Sequence, residues 1–273
     1  ELWRRCNAQG IDLNRDVRSG KSEEMRLFKK LFEQIRPHFA LNLHDQRSLF
    51  SAGESENGAA LSWAVPQVDQ KLAWNQTLSA QRLKMQRAAI IASKALQSEC
   101  PDSFARFDDS YYPKATGEWA QEQGAATLLI ESGVGDIDFG RTRSVIQTSS
   151  FIESLLVQLS SAGNSTSDAK LNSLEIPQNN KGLVDILFSR AKIVECSGQS
   201  WEADIAIRLE EVLKDQTIFF QPIIEAMGDL SDRRARLRID KAQVIRREGK
   251  PLHPNSICPF WDELKKYLPW ETM

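Results

Sequence analysis

Three histidines and four cysteines are few for a chain of 273 residues, and these shortages narrow the chemistry available to it. Cys6, Cys100, Cys196 and Cys258 stand far apart with no Cys-x-x-Cys pair and no metal-ligand spacing. Two disulfides are permitted by the even count but not argued for, and four separate thiols packed as small apolar residues are expected. No apolar run approaches the length needed to cross a bilayer, so no membrane span is expected. Charge of one sign is also missing: 35 basic against 37 acidic side chains leave a net charge of −2, which gives no bias toward nucleic acid or an anionic surface. Glycines 133, 135 and 140 lack the spacing of a phosphate-binding loop. What is present in quantity is apolar content, 41% of the chain, enough to bury a sizeable core in one large or two smaller units.

Ser22 followed by Glu23 and Glu24 is a helix start, and Leu27, Phe28, Leu31, Phe32 and Ile35 recur at helical spacing, one buried face, until Pro37. Phe39 to Leu43 reads as a buried strand with His44 just past its end. Val68 to Leu96 reads as a long helix, Pro101 to Tyr112 as loop, and Ala125 to Ile130 as a second buried strand followed by Glu131-Ser132-Gly133. A helix from about Val145 to Leu159 follows. Alternating helices and buried strands predict an α/β fold with a largely parallel sheet, in which ligands bind beyond the carboxyl ends of the strands, where His44 and Glu131 stand.

Ser160 to Lys181 is polar and rich in turn formers, so residues 161–181 read as a linker between residues 1–160 and a small β-rich unit over 182–273. That unit is expected to be antiparallel, with strands near Val184 to Val194, Ala203 to Arg208, Thr217 to Ile224 and Ala235 to Ile245, and a terminal helix over Phe260 to Tyr267. Arg234, Arg236 and Arg238 share one face of the last strand, read as solvated rather than as a nucleic-acid patch.

One stretch carries chemistry: Arg5-x-Asn7-x-x-Gly10-x-Asp12-Leu13-Asn14-Arg15, followed in order by Leu43-His44-Asp45, Tyr112 and Thr127-Leu128-Leu129-Ile130-Glu131-Ser132-Gly133. Together these resemble the rear part of a zinc carboxypeptidase, a metallopeptidase family with a mixed, largely parallel sheet flanked by helices. The resemblance covers Arg5 to about Leu159. It implies that Asn14 and Arg15 clamp a substrate's terminal carboxylate, that Arg5 (with Arg4 as fallback) steadies the oxyanion, and that Glu131 moves the proton. It further implies that His44 ligates zinc, that Asp12 orients a zinc histidine from behind, and that Tyr112 or its neighbour Tyr111 covers the bound terminus. These residue types suit those tasks: a guanidinium fork holds a carboxylate through two bonds, and a carboxylate at a metal's edge can take a proton from water. His38 and His253 read as structural or unassigned.

The family's opening His-x-x-Glu motif occurs nowhere in the chain. A catalytic zinc normally takes three protein ligands. The expectation is therefore that Glu1 is an internal cut and that two ligands lie ahead of it, a degenerate domain being the alternative. The implied activity is removal of C-terminal residues from peptides, peptidoglycan-type peptides included. Two other readings stay open: a zinc amidohydrolase of the aspartoacylase or succinylglutamate desuccinylase kind, which carries a similar Asp-Leu-Asn-Arg element, and a non-catalytic carboxylate-binding module. The compartment stays open as well, with a periplasmic or secreted location preferred.

Overall fold

The computed structural model describes residues 5–68, 76–101, 103–135, 140–161, 175–195, 197–246, 254–259 and 261–267. The first half holds α1 (Leu13–Asp16), α2 (Glu23–Ile35), β1 (Phe39–Arg47), β2 (Phe50–Ala52), β3 (Leu61–Ala64), α3 (Gln76–Gln97), β4 (Phe104–Arg106), α4 (Thr116–Glu122), β5 (Ala126–Gly133) and α5 (Thr142–Ser160). Its sheet runs β1-β5-β3-β4. β1 and β5 are parallel, as are β3 and β4, while β5 and β3 are antiparallel, so the α/β sheet is mixed with some parallel strands.

Strand alternation sorts this sheet's faces. Leu128 and Ile130 of β5 pack with Met85, Ala88 and Ala92 of α3 and with Phe151 and Leu155 of α5. The other face meets α2 and α4, where Phe28, Phe32 and Trp119 form a ring cluster with centroids 5.1–5.8 Å apart. Helix α2 starts where Ser22 accepts a bond from the Met25 amide at 3.2 Å, and it stops at Arg36 in the left-handed region ahead of Pro37. Its buried face is narrower than the spacing suggests, because Leu27, Leu31 and Ile35 are exposed. No helix among the described residues is long and apolar enough to cross a membrane.

The second half is β-rich: β6 (Asn179–Lys181), β7 (Val184–Glu195), β8 (Ser200–Lys214), β9 (Thr217–Gly228), β10 (Ala235–Asp240), β11 (Gln243–Arg246) and α6 (Trp261–Leu264), with a 3-10 turn at Lys265–Tyr267. β7, β8 and β9 are antiparallel, but β10 and β11 run parallel to β7, so the sheet is mixed rather than antiparallel. The β8–β9 hairpin closes through Asp215 and Gln216, both with positive φ (49° and 62°), as a two-residue turn matched to strand twist requires. Of the stretch read as linker, residues 162–174 lie outside the described residues, whereas β6 pairs with β2 and Ile176 is buried in the core under α3.

The halves meet at a buried charge, which corrects the solvated reading of the arginine strand at Arg236, while Arg238 is exposed as expected. Arg236 is fully buried, its Nε is 3.3 Å from the Asp185 carboxylate, and its terminal nitrogens donate to the Val134 and Ser48 carbonyls, each at 2.6 Å. Asp185 also accepts from the Leu209 amide at 2.7 Å. Arg234 donates to Ser51 Oγ and the Gly53 carbonyl, both at 2.7 Å, and Arg238 to Ser189 Oγ at 3.1 Å. Gly58 makes room for this lock: a Cβ there would lie 1.9 Å from an Arg236 nitrogen and 2.1 Å from the Val134 oxygen.

Candidate active site

β1 and β5 bring the cleft's two titratable groups together. His44 is in register with Glu131, and Ser62 of β3 faces Glu131 from the other side. Both residues lie inside their strands rather than beyond them, since β1 continues to Arg47 and β5 to Gly133. Alternation puts them on the face that carries Asn42 and Leu129, opposite the α3–α5 layer.

The N-terminal motif arrives over this face through a braced turn. Asp12 caps α1 by accepting from the Asn14 amide at 3.0 Å and pairs with Arg5 Nε at 2.7 Å. Asp16 is buried and accepts from the Ser22 amide at 2.8 Å, the Ser22 hydroxyl at 2.7 Å and the Lys21 amide at 3.0 Å. These bonds, with one from Ser19, hold its carboxyl well below the usual range and fix the α1–α2 joint. Asn14 is then held from two sides: its Oδ1 accepts from the Thr116 amide at 2.9 Å, and its Nδ2 lies 3.4 Å from His44 Nε2. An amide whose oxygen is engaged presents its NH2 to the ring, which makes His44 Nε2 the acceptor.

A cavity of about 230 Å³ opens between these elements, lined by Arg5, Asn14, Arg15, His44, Tyr112 and Glu131 together with Asn42, Leu129 and Glu118. Asp12 lies behind Arg5 in an adjoining groove that also touches Asp45. Arg5, Asn14, Arg15, His44, Tyr112 and Glu131 therefore surround one cleft; Asp12 stands in the groove beside it, Arg4 lies outside the described residues, and the Tyr111 hydroxyl turns to Glu122 at 2.5 Å. Tyr112 is half-exposed and anchored, its hydroxyl donating to Asp108 at 2.8 Å and its amide to Glu118 at 3.2 Å.

The cleft sets its own proton affinities. Burial, then the nearby Asp45 charge, pushes the Glu131 carboxyl up to about 7 against the pull of Arg5. Burial, then Arg5 and Arg15, lowers the His44 pKa against the pull of Asp12. A half-buried acid near neutrality beside a neutral imidazole can give or take a proton at physiological pH. Glu118, which sequence reasoning missed, is also buried and its carboxyl is raised by that burial, offset by its own amide, that of Tyr112 and the Arg15 charge. Its only signal was its place between Tyr112 and Trp119.

The zinc expectation meets a limit in the donor set. Among the described residues no three His, Cys, Asp or Glu side chains gather as a metal site, and His44 is the one imidazole at the cleft. One imidazole does not meet the three-ligand need of a catalytic zinc, so no step below passes through a metal. No protein-family model and no curated protein matches the chain.

Proposed function

We propose that the cleft binds the free C-terminal carboxylate of a peptide and supports hydrolysis of the amide bond next to it, the reaction of the carboxypeptidases the motifs resemble. The observation that carries this reading is the register of His44 with Glu131, facing Arg5, Asn14 and Arg15 across one small cavity. Arg15 supplies a fork of donors for two carboxylate oxygens, and the Asn14 amide adds a donor held in place by Thr116. Arg5, held by Asp12, would steady the negative charge that develops on the carbonyl oxygen. Glu131, half ionised near pH 7, accepts a proton from the attacking water and returns it to the leaving amine. Tyr112, on the cavity's lining, would cover the bound terminus.

Calorimetric titration tests this with a peptide and its C-terminal amide, and with N-acyl amino acids as shorter carboxylates. The free acid should bind at least roughly ten-fold more tightly than the amide, and Arg15→Gln should erase the difference. Equal binding of acid and amide would remove the reading.

A further inference from the structure

Behind the cleft, across a wall formed by Phe107 and Asp108, lies a second cavity of about 510 Å³ that the mechanism does not use. Its size falls in the range of ligand pockets, and it is more than double the cleft's 230 Å³. Trp63, Arg106 and Arg82 line it from β3, β4 and α3.

Two arginines bring hydrogen-bond donors to the cavity. A guanidinium carries five N–H donors and no acceptor. Arg82 donates from Nε to Gln121 at 3.0 Å and from a terminal nitrogen to the Pro66 carbonyl at 2.7 Å. Arg106 donates from Nε to the Ile176 carbonyl at 2.9 Å, and its terminal nitrogens have no hydrogen bond among the described residues. The acids on the wall are already engaged. Asp108 accepts from the Ser110 amide at 3.0 Å, the Ser110 hydroxyl at 2.6 Å and the Tyr112 hydroxyl at 2.8 Å. Asp109 accepts from Gln67 at 2.7 Å. Burial lowers the Arg82 pKa and the Asp109 charge offsets this.

We propose that this second cavity receives an acidic side chain of the peptide whose terminal carboxylate enters the cleft, with Arg106 and Arg82 as its recognition groups. The proposal rests on the carboxypeptidase-like reading and narrows its substrates to peptides acidic a few residues before their end. Phe107 and Asp108 line both cavities, so the two adjoin.

Two peptides of equal length and free C-terminus test it, one with glutamate and one with glutamine at the second, third or fourth position from the end. Titrated against the full chain, the glutamate peptide should bind roughly ten-fold more tightly at one of these positions. Arg106→Gln should abolish that preference without changing the glutamine peptide's Kd, Arg106→Lys should keep part of it, and Arg82→Lys should weaken it, with melting curves confirming that each variant folds. Equal binding of the pair at all three positions, or a preference that survives Arg106→Gln, overturns the inference while leaving the carboxylate clamp intact. Loss of the acid-versus-amide difference instead removes the reading of the cleft itself. Inorganic phosphate binding through Arg106 as tightly as the glutamate peptide would assign the cavity to a free anion and overturn the substrate role.

Discussion

Two carboxylates in this protein hold their protons to unusually high pH, and they do so in opposite surroundings. Asp185, at the junction of the two halves, is raised to about 6 by burial while Arg236, the Leu209 amide and Ser48 pull it down. Glu131, in the cleft, is raised to about 7 by burial and by Asp45, with Arg5 its only opposing charge. Asp185 has its partners built in: the Arg236 guanidinium, the Leu209 amide and the Ser48 hydroxyl. The Glu131 carboxylate has no hydrogen bond among the described residues and faces a cavity that a ligand can enter. A shifted pKa alone does not separate structure from chemistry; whether the partner is built in or left out does.

The sharpest way to break this comparison is Glu131→Gln. Hydrolysis should fall about 10²–10⁴-fold, while peptide Kd stays within about two-fold; unchanged turnover would make Glu131 a second structural acid. Arg236→Met should act on the other side, costing about 3–5 kcal/mol by urea unfolding because Asp185 is left buried without its cation. Adding Asp185→Leu should recover most of the loss, and a single variant as stable as the parent would show that the lock is ornamental.

The pH dependence of stability distinguishes the two acids more finely. Both folded-state values lie above those of the free side chains, 3.8 for Asp185 and 4.5 for Glu131. The folded protein therefore binds more protons than the unfolded chain between those limits, and stability falls as pH rises. The fall should run from about pH 4 to 6 for Asp185 and from about 4.5 to 7 for Glu131. Glu131→Gln should reduce the slope from about pH 4.5 upward and flatten the curve between about pH 6 and 7, where Asp185 no longer contributes; an unchanged slope near pH 6.5 would refute the raised value. The smallest effect belongs to Ser62, whose buried hydroxyl, in register with Glu131, has no hydrogen-bond partner among the described residues. Ser62→Ala should leave stability within about 1 kcal/mol of the parent, on the favourable side, and a large loss would show a bond to Glu131 that forms in solution.

The elements that carry the cleft were legible because they announce themselves locally. Ser22 caps α2, apolar runs mark β1 and β5, and the Asn14-Arg15 motif stands within a few residues of its own helix cap. β3 was not read, since Leu61–Ala64 is only four residues long after a loop rich in small side chains, and with it went the antiparallel step in the sheet. β4 hid in the segment read as loop, and α4 hid because Gly117 weakens a helix of only seven residues. The arginine strand failed for a different reason. Alternation identified the right face, but its sign depends on Asp185, Ser48 and Val134, and no local pattern in residues 234–238 points to partners that far away.

The lock at Arg236 also has a kinetic consequence. One guanidinium joins chain segments at residues 48, 134, 185 and 236, so it cannot close until nearly the whole chain has collapsed around it. Contacts so far apart in sequence slow folding, because long loops must close before the contacts form. Because Val134 directly follows β5, the strand bearing Glu131, the cleft should take its final shape in that same last step, and a nascent chain would carry the motif long before it could use it.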